Sequence, residues 1–254
     1  MREPEEAYAE FISRHFRPGR VYTLVGAGGK STGMRKIADF ISRRGIRCRM
    51  TTTTRIGVEE FSAYPVATAR DDAEVLRCIM ADEPRMVISG GMSDDGGKHA
   101  GLDPARIERL AIPADLVLLV EGDGSRKKPI KAPTAREPVI PANTSEVFAL
   151  MGASAFDESV DAGRCYNPEG VIALLGQAHV VFDAPALVLL AADARGCRKG
   201  VLPGMSFHLI VNQGDLEGKQ ETARTLLRDL SRVHGIAGTL LSWREERVYE
   251  TRGD

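Results

Sequence analysis

The stretch VYTLVGAGGKSTGM, residues 21–34, decides how the rest of the chain reads. Val21–Val25 is an apolar run of strand length. From Lys30 an amphipathic helix is predicted to run to about Arg44, where Gly45 stops it. Between them lies the turn Gly26, Ala27, Gly28, Gly29. Its glycines let backbone N–H groups turn inward around an anion with no Cβ in the way. The helix start presents its positive end to the same anion. Lys30 is then placed to reach β- and γ-phosphates, the Ser31 hydroxyl to meet Mg²⁺, and Thr32 to contact the nucleotide. Strand, glycine turn and helix together predict a P-loop for a nucleoside triphosphate.

The loop is short. The usual spacing would place a glycine at position 24, which is Leu24, so the sequence reads G-x-x-G-K-S-T. This resembles the short loops of the Mur ligases, which bind ATP.

Outward from the loop, strands and helices alternate. Pro4–His15 reads as a helix, Arg47–Thr54 as a β-rich segment, Asp71–Met80 as a helix and Arg85–Ser89 as a strand. Asp103–Leu110 follows as a helix and Leu116–Glu121 as a buried strand. Further on, Ser145–Met151 and Phe207–Val211 read as strands, and Val181–Ala192 with the region before it as helices. Gly218–His234 is a long helix, and Gly238–Trp243 and Val248–Tyr249 are closing strands. This rhythm predicts one α/β domain over residues 1–254, a mainly parallel sheet with flanking helices: a P-loop NTPase-like three-layer sandwich. Residues 122–142 stand apart, with four prolines and five Lys or Arg residues and little periodicity. A long aperiodic stretch inside a compact domain marks a functional loop or a disordered one.

Sites of parallel sheets lie beyond the carboxyl ends of the strands, and several candidate groups fall there. Leu116–Val120 ends in Glu121, with Asp123 two residues on, so both are candidates to hold Mg²⁺ or its waters. Asp123 also suits a turn residue in EGDGS. Thr51–Thr54 offers hydroxyls at the second strand end, Thr53 and Thr54 as nucleotide contacts, although threonine runs also form strands for their own sake. Arg126, Lys127, Lys128, Lys131 and Arg136 either neutralise a transferred phosphate, hold an anionic substrate or form a solvated loop. Lys30, Asp123 and Arg126 are the catalytic candidates. Asn212-Gln-Gly-Asp215 resembles the N-K-x-D element that reads guanine, with Gln213 in place of Lys, and its Asn and Asp are also ordinary turn residues. The base, ATP or GTP, stays open. The basic run Arg35, Lys36, Arg43, Arg44, Arg47 and Arg49 reads as a solvated face.

Composition narrows the partners. The chain has 254 residues, 43% hydrophobic and 27% charged, with a formal net charge of −1. Such a balance offers no global field for nucleic acid or an anionic membrane. The four cysteines are far apart with no C-x-x-C pair, and the five histidines form no H-x-x-x-H or H-E-x-x-H pair. The acidic start MREPEEAYAEF lacks an apolar signal core, and the apolar runs are too short to span a bilayer. A cytoplasmic protein acting on a small molecule or a protein partner is expected.

Taken in order, VGAGGKST, TTTTRI, GGKHAGL, LVLLVEGDGSRKKPIKAPTAREPVIP and LIVNQGD resemble the YqeC family of selenium-dependent hydroxylase accessory proteins, over about Val21 to Leu230. The resemblance implies a P-loop nucleotide-binding fold and a link to maturation of molybdenum-containing hydroxylases, with an apoprotein or its cofactor as partner. The sequence departs from the family at Gly163-Arg164, where His-Arg would be expected, and at Gln213, where Lys is more usual. Three functions follow as expectations: an NTP-dependent accessory enzyme, a nucleotide-dependent switch or cofactor chaperone, and a Mur-like ligase or small-metabolite kinase.

Overall fold

The structure, a computed structural model, describes residues 4–93, 97–176 and 181–253. In chain order the strands are β1 (Arg20–Gly26), β2 (Arg47–Thr52), β3 (Arg55–Gly57), β4 (Val66–Thr68), β5 (Arg85–Ser89), β6 (Gly91–Met92), β7 (Lys98–Ala100), β8 (Leu116–Glu121), β9 (Ile130–Lys131), β10 (Glu146–Gly152), β11 (Cys165–Tyr166), β12 (Ser206–Asn212), β13 (Ala237–Ser242) and β14 (Arg247–Arg252). The helices are α1 (Pro4–His15), α2 (Lys30–Ser42), α3 (Asp72–Met80), α4 (Pro104–Glu108), α5 (Pro168–Leu175), α6 (Ala184–Ala192) and α7 (Gln220–His234).

Nine strands form one sheet in the order β14-β13-β12-β10-β1-β8-β2-β5-β4. Its pairs are parallel except β13 with β14. Side-chain alternation along each strand sorts the core into layers. On β8, Val117 and Leu119 face a cluster built with α1 and α2, while Leu116, Leu118 and Val120 face the opposite side with α3 and α4. That opposite side also carries α5, α6 and α7 over β10, β12 and β13. The result is the expected three-layer sandwich with a mainly parallel sheet.

The strand order reverses at β1. The chain leaves β1 through α2 to reach β2, beyond β8, and later returns to β10 on the other side of β1. A crevice opens at the carboxyl edge where the order reverses. Gly26 of β1 and Glu121 of β8 therefore end side by side, because Leu24 is in register with Glu121.

Several expectations are refined. The second strand stops at Thr52, so Thr53 and Thr54 leave the sheet. Residues 122–142 contain β9, which pairs with β11 through Ile130 and Cys165. The short strands β3, β6 and β7 form a separate three-stranded sheet beside the crevice; two or three residues are too few to show a period. Gly96 of the GGKHAGL segment and residues 177–180 between α5 and α6 lie outside the described residues.

Arg49 corrects the solvated-face reading of the basic run: it is fully buried. It lies on β2, and its guanidinium donates to the carbonyls of Cys48, Cys78, Ala81 and Glu83 at 3.0, 2.7, 2.5 and 2.8 Å. Three of these carbonyls lie at or just beyond the end of α3, whose negative dipole end a cation favours. Arg49→Ala leaves them buried without this donor. A loss of about 3 kcal/mol or more is expected, read as the urea-unfolding free energy of the variant against the parent.

Candidate functional site

The turn after β1 bends sharply because its glycines take left-handed backbone angles. Gly28 has φ +86° and Gly29 has φ +124°. A Cβ on Gly28 would collide with the Gly152 backbone, and one on Gly29 would come within 2.5 Å of Asn212 Nδ2. Glycine is therefore required twice, by backbone angle and by close approach.

Three of the turn's N–H groups are held inside the fold. Gly26 N–H donates to both Asp123 carboxylate oxygens, at 3.1 and 3.0 Å. Ala27 N–H donates to the Leu150 carbonyl at 3.0 Å, and Gly28 N–H to the Lys128 carbonyl at 3.1 Å. Helix α2 then begins behind Gly29 with no capping side chain. The first turn of a helix has N–H groups with no partner in the helix itself, and here Gly28 to Thr32 line an open cleft. The available donors thus lie one step later than the glycine turn itself.

Lys30 is buried and folded back over the turn. Its Nζ donates to the Gly26 carbonyl at 2.5 Å and lies 3.2 Å from Asp123 Oδ1 and 4.0 Å from Glu121 Oε1. Burial alone would push this ammonium down, but Asp123 and Glu121 beside it outweigh burial and hold it above the ordinary lysine range. The Ser31 hydroxyl donates to Glu121 Oε2 at 3.1 Å. Burial pushes the Glu121 carboxyl up to about 7; Lys30 opposes this, and Glu60 and Asp123 add to it. A hydroxyl and a carboxylate side by side at the cleft floor are hard oxygen donors, the kind Mg²⁺ takes.

Asp123 sits behind the loop, 1% exposed. Besides Gly26 and Lys30 it meets a second buried cation, Lys131, at 3.0 Å. Lys131 in turn pairs with Glu137 at 3.0 Å and donates to the Gly124 carbonyl at 2.6 Å. Neither Lys131's partners nor Glu137 could be read from spacing. They come together because the Pro-rich segment folds back on itself, and only the abundance of charge in that segment hinted at it.

The other candidates separate. Thr54 and Thr32 line the cleft. The Thr53 hydroxyl instead donates to the Val139 carbonyl at 2.8 Å and ties the Pro-rich segment to β2. Arg126 is exposed at the cleft, its guanidinium 5.2 Å from the centre of the Tyr166 ring. Asn212 lies beneath the loop, donating to the Gly28 carbonyl at 2.7 Å and accepting from the Trp243 backbone N–H at 3.1 Å. Both ends of its amide are engaged, so it braces the loop. Asp215 is ion-paired to Arg244 at 2.5 Å, away from the cleft lining. The N-Q-G-D segment is thus brought to the loop at one end only. Trp243, which packs against Gly33 and holds Asn212, gave no signal in the sequence.

The fold and the crevice define a three-layer α/β protein with a glycine turn at the reversal of its parallel sheet. The chain belongs to the YqeC family: the family model described as "YqeC protein" matches residues 22–169. A relative from Escherichia coli strain K12, named "Uncharacterized protein YqeC", is 34% identical over 186 residues, which is 72% of this chain and 72% of that protein. Among the described residues, no helix is long and apolar enough to cross a membrane.

The raised carboxyl at Glu121 has a consequence for stability. Its folded value, about 7, lies above the ordinary 4.5, so the fold favours the protonated form. That contribution is complete below pH 4.5 and is lost as pH rises through 7. Glu121→Gln is therefore expected to match the parent near pH 5 and to exceed it at pH 8, by about 1–3 kcal/mol in urea unfolding. A variant less stable than the parent at pH 8 contradicts this.

Proposed function

We propose that this protein binds a nucleoside triphosphate with Mg²⁺ at the glycine turn and hydrolyses it or transfers its terminal phosphoryl group. It would do so as an accessory factor in maturation of selenium- or molybdenum-containing hydroxylases. The carrying observation is the cluster at the start of α2: an uncapped helix N-terminus, Lys30 folded onto the turn, and Ser31 bonded to Glu121, all on one cleft of about 1300 Å³. The accessory role rests on membership of the YqeC family and the resemblance that names it.

The residues present fit the ligand. The N–H groups at the start of α2 would bind phosphate oxygens, and the helix dipole favours the negative charge they carry. Lys30 is held at the mouth of the turn by the Gly26 carbonyl and Asp123, within reach of an exchange onto phosphate. Ser31 and Glu121 would hold Mg²⁺, which supplies charge neutralisation and orients the phosphates. Asp123, behind the loop, would fix Gly26 and steady Lys30. The engagement of Asn212 and Asp215 elsewhere favours a reading in which the base is not selected through N-Q-G-D.

The test is a thermal-shift panel of ATP, GTP and CTP, each with Mg²⁺. At about 100 times Kd, a ligand adds about 2.7 kcal/mol, which for a chain of this size raises Tm by roughly 5–10 °C. Ser31→Ala is expected to lose most of the Mg²⁺-dependent part, and Lys30→Ala both the shift and any phosphate release. No shift with any of the three nucleotides would overturn the reading. Binding without phosphate release would point to a switch rather than an enzyme.

A further inference from the structure

Ser125 to Lys128 form a tight turn closed by the Lys128 N–H donating to the Ser125 carbonyl at 3.0 Å. Its two central residues, Arg126 and Lys127, have φ +49° and +59°. Turns with both central residues in the left-handed region are built from Asn-Gly or Gly-Gly, because a side chain there is strained. This turn places the two longest cationic side chains at those positions, and both are exposed on the cleft. Strain held at a cleft points to function.

The turn is also fixed in place. The Lys128 carbonyl accepts from Gly28 N–H at 3.1 Å, which couples it directly to the glycine turn. Gly124, just before it, is held by Lys131 and by Glu137, whose carboxylate accepts Gly124 N–H at 3.2 Å. The Arg126 guanidinium rests near the Tyr166 ring.

Charge and size both leave room for a second ligand. Among the described residues, eight Lys or Arg and four Glu side chains line the cleft, a net charge of +4, although the whole chain carries −1. A triphosphate with its Mg²⁺ brings about two negative charges and leaves the rest uncompensated. The cleft volume, about 1300 Å³, exceeds the roughly 300–1,000 Å³ of a site for one drug-sized ligand.

We propose that the turn Ser125–Lys128 is a second anion subsite, facing the triphosphate subsite, that takes the doubly charged oxyanion of an acceptor of the phosphomonoester class. The proposal rests on the triphosphate reading of the glycine turn. Arg126 contributes a planar fork suited to two oxygens of one phosphate, and Lys127 a point charge.

Inorganic phosphate serves as the probe, counted by equilibrium dialysis with and without a saturating non-hydrolysable triphosphate analogue and Mg²⁺. The free protein is expected to bind two phosphates, and the analogue-saturated protein one. The paired substitution Arg126→Asn with Lys127→Gly gives the turn its preferred residues. It is expected to keep or raise Tm while the saturated protein's phosphate affinity falls at least tenfold. If the analogue binds but the saturated parent takes up no phosphate, or the paired variant binds phosphate like the parent, the subsite is refuted and the glycine-turn reading stands. If the analogue fails to bind, the glycine-turn reading falls, and the second subsite falls with it.

Discussion

Two buried ammonium groups converge on one buried carboxylate, and the candidate site is organised around that meeting. Asp123 accepts Gly26 N–H on both oxygens and pairs with Lys30 on one side and Lys131 on the other. A lone buried charge is costly, and one with two opposite partners and a backbone donor is compensated. The same carboxylate therefore shapes the glycine turn, stations Lys30 at its mouth and, through Lys131, draws the Pro-rich segment against it. Remove the charge at position 123 and three elements lose their common anchor.

That anchor also separates two kinds of residue. Some groups are fully engaged within the fold: the N–H groups of Gly26, Ala27 and Gly28, both ends of the Asn212 amide, and the Thr53 hydroxyl. Others sit at the cleft in an energetically uncomfortable state: Glu121 with its carboxyl pushed up, and Arg126 and Lys127 in left-handed backbone. The first group gives the site its shape. The second is where stability is given up, a pattern that recurs at functional sites.

The sequence made the local part of this legible. Lys30, Ser31 and the strand end at Glu121 follow from short-range patterns: an apolar run, a glycine turn and a helix start. Parallel neighbouring strands then bring Glu121 beside Ser31. Long-range pairings were hidden, since nothing in the spacing connects Lys131 to Asp123 or Trp243 to Asn212. Arg49 reads as part of a basic run, yet it lies on a buried strand between Cys48 and Met50. A buried arginine satisfied by helix-end carbonyls leaves no trace in charge patterning. The three short strands beside the crevice escaped because their length is below one detectable period. In Asn212-Gln-Gly-Asp215 the likeness to a base-reading element was visible, yet the engagement of its two polar ends depends on Trp243 and Arg244, which lie about 30 residues away.

The most direct measurement is a crystal structure with Mg²⁺ and a non-hydrolysable nucleoside triphosphate. Phosphate oxygens are expected against the N–H groups from Gly29 to Thr32, with the metal held by the Ser31 hydroxyl and Glu121 and the Lys30 ammonium moved from the Gly26 carbonyl onto phosphate. Asp123 should stay in place between Gly26 and Lys131. Nucleotide found away from the start of α2, with Lys30 still bound to the Gly26 carbonyl, would contradict it.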